Sequence, residues 1–121
     1  MRTLTLALGL ALGAFSFAHA DWRHPTEAER AMVDQDWTAA LDMVSAMANT
    51  AVCGAIPRWE VDSRIGIVMN QAALSASRSG IDKFPALLAD QRAAAKRGYD
   101  APCSIPLADQ ARMARWIEEI R

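Results

Sequence analysis

An all-α fold, a small four-helix bundle, follows from three observations. Apolar residues recur three and four positions apart through four successive stretches. Residues that start and stop helices punctuate the chain between those stretches. No segment alternates apolar and polar over a useful length, as a half-buried strand would. Short connections favour antiparallel neighbours, so an up-down bundle is expected, with a less regular orthogonal packing as its competitor.

The bundle is expected within residues 21–121 of the 121-residue chain. Residues 1–20 read as a secretory signal peptide: Arg2 supplies a charge, Leu4 to Phe17 is an uncharged apolar run, and Ala18-His19-Ala20 offers small residues for cleavage before Asp21. That predicts a periplasmic or secreted protein of one domain. No later apolar stretch reaches the roughly 20 residues that span a bilayer, so no membrane anchor is expected after cleavage. Removing Arg2 with the leader leaves 12 basic and 14 acidic residues, a near balance that argues against nucleic acid as partner. The basic residues are mostly Arg, which fits a GC-rich bacterial genome and carries no functional weight.

Helix 1 begins at the capping box Thr26-Glu27-Ala28-Glu29 and runs to Cys53, with a break allowed near Asp34. Its apolar stripe is Val33, Trp37, Leu41, Val44, Met47, Ala48, Ala51 and Val52. Gly54 suits a left-handed cap. Pro57 opens helix 2. Val61, Ile65, Val68, Met69, Ala72 and Ala76 form its main stripe, while Ile67, Leu74 and Trp59 lie on other faces. A helix apolar on several sides is expected to be central or to face a second subunit. Gly66 in mid-helix suggests close approach of a neighbour, and Ser79-Gly80 ends the helix. Asp82 caps helix 3, whose stripe is Phe84, Leu87, Leu88, Gln91, Ala94 and Ala95, and Gly98 is expected to stop it. Ser104 caps helix 4, with Pro106 in its first turn. Leu107, Ala111, Met113, Ala114, Ile117 and Ile120 are expected to face inward, with Trp116 at the margin.

Cys53 and Cys103 are the two cysteines of the chain. An isolated pair in an oxidising compartment predicts a disulfide. It closes a loop of about 50 residues, worth about 4 kcal/mol by the chain-entropy relation. It would tie the end of helix 1 to the start of helix 4.

Catalytic and cofactor motifs are not found. His24 is the single histidine beyond the leader and sits in the lead-in. Its position, fourth after the cleavage point, is one too far for a square-planar amino-terminal copper or nickel site. There is no C-x-x-C-H for haem, no zinc spacing and no Glu-x-x-His pair. Met43 and Met47 are four apart, as Cu(I) ligands could be, but Met47 and Met69 lie on core stripes. Asp34-Gln35-Asp36 begins like a calcium loop and lacks its Gly and later Glu. No G-x-S-x-G, S-x-x-K or phosphate loop occurs. Glu60 and Arg64 suit a surface pair. No cofactor and no metal are therefore expected, and the chain reads as non-enzymatic.

Tryptophan is the best remaining lead. Trp37 belongs to a core stripe, Trp22 precedes helix 1, and Trp59 and Trp116 lie off their stripes. Arg58-Trp59 and Arg115-Trp116 have the composition of interface hot spots. The leading expectation is a module that binds a protein partner or a second copy of itself. One alternative is an acid- or stress-responsive periplasmic chaperone, to which the chain is similar only in size, helicity, compartment and single disulfide. Another is a small-ligand-binding protein or enzyme whose acids and arginines converge in a pocket between helices.

Overall fold

The computed structural model describes residues 24–121. The leader, its cleavage point and Trp22 lie outside the described residues. Four helices follow one another: α1 Glu27–Val52, α2 Arg58–Arg78, α3 Phe84–Asp100 and α4 Leu107–Glu118.

Helix α1 starts where the sequence says it must. The Glu29 N–H donates to Thr26 Oγ1 (3.1 Å), and the Thr26 N–H donates to Glu29 Oε1 (2.8 Å). It runs without a break past Asp34. Gly54 then turns the chain at φ 81°, and Gly80 does the same after α2 at φ 79°, a left-handed backbone that glycine adopts without strain. Pro57 sits just outside α2, at the cap position rather than in the first turn.

The helices pack up-down-up-down. Met32 and Val33 at the start of α1 lie with Ala76 and Ser79 at the end of α2, so these two are antiparallel. Helix α3 then runs alongside α1 in the same direction. Lys83 Nζ meets Asp34 Oδ1 at 2.9 Å, Trp37 Nε1 donates to Asp90 Oδ2 at 2.9 Å, and Gly98 lies on Ser45 and Ala48. Helix α4 returns down α1, from Ser104 beside Asn49 to Ile120 beside Ala39 and Ala40. The core is Trp37, Val44 and Met47 of α1, Val61, Ile65, Met69 and Ala73 of α2, Ala94 of α3, Ala114 and Ile117 of α4, and Ile56 between α1 and α2.

Several expectations are corrected. Helix α2 packs on all three others as expected of a central helix, but so does α1, which is longer and makes the broader contacts. Its length decides this: 26 residues give about 39 Å of helix, enough to carry every partner. Gly66 meets no neighbouring helix, because nothing lies within 4 Å of a side chain built there. Gly98 does not stop α3, which continues to Asp100. It is instead the close-packing glycine: a Cβ there would come within 2.1 Å of the Ser45 carbonyl oxygen. Asp82 still serves the start of α3, accepting from the Phe84 N–H at 3.0 Å. Ser104 does not cap α4; its N–H and hydroxyl are taken by Asn49, and the helix starts later, after Pro106. Leu107 and Ala111 face solvent instead of the core, as do Phe84 and Leu88. These residues sit on short helices that bury one narrow edge against α1 and α2.

Cys53 and Cys103 form the expected disulfide, with Cα atoms 4.9 Å apart. Beside it Asn49, buried in the last turns of α1, holds the loop from α3 to α4. Its Nδ2 donates to the carbonyls of Gly98 (3.0 Å) and Pro102 (3.0 Å), and its Oδ1 accepts from the Ser104 N–H (2.7 Å). One buried amide thus pairs with three backbone groups of the loop, the Gly98 carbonyl among them fully buried. The Glu60–Arg64 pair (3.4 Å) is largely buried rather than a plain surface pair. Arg64 also donates from Nη2 to the Glu118 carbonyl (3.1 Å), placing a cation on the carboxyl end of α4.

Candidate functional site

Pro57 fixes the point where α2 begins, and the next two residues are Arg58 and Trp59. The opening turn of α2 lies at the end of the bundle, beside the last turns of α1 and α3. Trp59 is 70% exposed. The Arg58 guanidinium lies 3.9 Å from the centroid of the Tyr99 ring, a cation–π stack worth about 0.5–1 kcal/mol at an exposed site. Tyr99 Oη donates to Asp62 Oδ1 at 2.6 Å, and Asp62 Oδ2 also faces Arg58 Nε at 3.7 Å. The three side chains fix one another. Trp59 and Asp62 are three apart on α2, which makes them neighbours on its surface.

Burial, then the Asp62 carboxylate, pushes the Tyr99 hydroxyl above the ordinary tyrosine range, with Arg58 opposing. The phenol therefore serves as a hydrogen-bond donor through the physiological range. Arg92 and the Lys96–Asp100 pair line the same hollow as Arg58, Asp62 and Tyr99, and Val52 adds an exposed apolar edge beside Arg58 and Tyr99. The face combines one projecting indole, one fixed tyrosine and three cations against two carboxylates. Nothing in it forms a nucleophile with a base. A face of this composition suits an apolar group flanked by negative charge.

Trp116 lies elsewhere. It is 39% exposed and walls an apolar groove of about 300 Å³ with Ala39, Ala40 and Met43 of α1, Val68 of α2 and Ile120. Arg115 is exposed on the outer side of α4. The structure does not bring the two tryptophans together. Trp59 and Val68 are nine residues apart, about two and a half turns, which puts them on opposite sides of α2.

The sequence reading missed Tyr99 and Asp62. Tyr99 is the single tyrosine of the chain, but a helix expected to stop at Gly98 leaves it outside any element, with no partner on α2 to infer. The signal was Arg58 and Asp62 at i and i+4, one helical turn of paired charge beside an off-stripe tryptophan.

His24 is exposed at the start of the described residues. Among the described residues no group of three or more His, Cys, Asp or Glu is placed to hold a metal ion. No described helix is long and apolar enough to cross a membrane. Compared with known proteins, the chain matches no family model, no curated protein sequence and no solved structure.

Proposed function

We propose that this protein is a secreted or periplasmic, non-enzymatic binding module that docks another protein on its Trp59 face. The observation that carries the reading is the 70% exposure of Trp59 in the helical turn whose Arg58 and Asp62 hold Tyr99. Tryptophan, tyrosine and arginine are the residues enriched at interface hot spots. The partner surface offers an apolar side chain to the indole and carboxylates to Arg58, Arg92 and Lys96. The leader at residues 1–20 and the disulfide support a compartment outside the reducing cytoplasm.

The test is co-purification from the secreted or periplasmic fraction, comparing the natural chain with Trp59→Ala and Arg58→Glu. One protein in fixed ratio is expected with the natural chain. Both variants lose it while keeping the helical circular dichroism spectrum. Retention of the same protein by both variants places the docking surface elsewhere and refutes the reading.

A further inference from the structure

We propose that the slot between α3 and α4 is a binding site for a small free α-amino acid, held by its two charges between Arg97 and Asp42. Arg97 and Tyr99 are two apart on α3, about 200° around the helix, so this site and the Trp59 face lie on opposite sides of α3. The inference does not rest on the Trp59 reading.

Helices α3 and α4 pack on α1 from two sides and hardly touch each other. Between them α1 presents Asp42, Ser45 and Asn49, spaced i, i+3 and i+7 on a single face. These residues floor a hollow of about 240 Å³, with Arg97 on its α3 side and Ser104 and Ile105 at its loop end.

The loop end is fixed in advance. The disulfide and the buried Asn49 both hold the loop from α3 to α4 against α1. Asn49 Oδ1 also accepts from the Ser104 hydroxyl at 3.0 Å, which orients that oxygen. A small ligand needs walls of this kind, because it carries too few atoms to offset the ordering of a mobile loop.

The open end carries a charge pair that is not closed. Arg97 Nη2 and Asp42 Oδ1 are 3.5 Å apart, beyond the roughly 2.7–3.2 Å of a hydrogen bond. Both side chains therefore keep donors and lone pairs for a third group. The group that satisfies both at once bears a carboxylate and an ammonium side by side. An α-amino acid bears them on one carbon, whereas a peptide carries them at opposite ends and reaches only one partner. The amino acid exchanges one loose ion pair for two, its carboxylate on the Arg97 guanidinium and its ammonium on Asp42. Its side chain then lies toward Ile105 and the Ser45 and Ser104 hydroxyls, and the size of the hollow restricts it to a small one.

Calorimetric titration with L-alanine, L-serine and L-valine tests this, on the protein expressed with its own leader and recovered oxidised. At least one of the three is expected to bind at one site per chain with a Kd below about 1 mM. Acetylating the amine of that amino acid, or amidating its carboxylate, weakens binding by about tenfold or more, the worth of one charge-assisted contact. Arg97→Gln and Asp42→Asn each do the same. Both variants keep the helical circular dichroism spectrum, because both side chains are largely exposed. No binding tighter than about 1 mM by any of the three overturns the proposal. So does binding that the acetylated and amidated forms share, or that survives both substitutions. Binding lost in Trp59→Ala but kept in Arg97→Gln also overturns it, by placing the ligand on the other face.

Discussion

Tyr99 can be followed alone, because the chain contains one tyrosine. Burial and the Asp62 carboxylate raise its pKa in the fold. Tyrosinate absorbance of the native protein is therefore expected to rise well above pH 10, the ordinary value, and to return to about 10 in denaturant. The consequence for stability has a definite sign. Below pH 10 the folded and unfolded chains both keep the proton, and nothing changes. Above it the unfolded chain ionises first, so stability falls as pH rises past about 10. Tyr99→Phe removes that part of the fall. A native titration midpoint at 10 contradicts the Tyr99–Asp62 bond. Asn49 makes a different kind of prediction. Asn49→Leu leaves the buried Gly98 carbonyl unpaired and turns the part-buried Pro102 carbonyl and Ser104 N–H over to water, for a loss of about 2 kcal/mol in urea unfolding. A loss below about 1 kcal/mol, the worth of one ordinary hydrogen bond, shows the loop held by the disulfide alone.

At the scale of the helix, the two mid-helix glycines separate cleanly. Gly66 has open space around it, so Gly66→Ala is expected to stabilise by about 1 kcal/mol through helix propensity. Gly98→Ala drives a methyl into the Ser45 carbonyl and is expected to destabilise by about 3 kcal/mol or more, since backbone must move. Equal effects at the two sites contradict the α1–α3 packing. These glycines also show what was legible in the sequence. The Thr26–Glu29 capping box, Gly54, Gly80 and the cysteine pair are readable because each acts on residues within one turn or through one bond. The close approach was assigned to Gly66 rather than Gly98 because it depends on which helix lies alongside, and periodicity does not say. Asn49 was passed over for the same reason. Its setting, an amide among Met47, Ala48 and Val52 just before Cys53, was visible, but its loop partners lie about 50 residues away. For the candidate site, Arg58 and Trp59 were readable as an off-stripe pair. The Tyr99 and Asp62 half required the packing of α3 on α2.

For the whole molecule, the short fourth helix is the organising fact. Helix α4 is tied at its start by the disulfide and Asn49 and at its end by Arg64. One end of the bundle offers the Trp59 platform. A photo-reactive phenylalanine derivative placed at position 59, with one at exposed Ala93 as control, tests the proposed function most directly when irradiated in the producing cells. A single discrete adduct with a different protein is expected from position 59 and not from Ala93. Adducts that match the control in mass and yield, or that join two copies of this chain, contradict the assignment of the Trp59 face to a foreign partner.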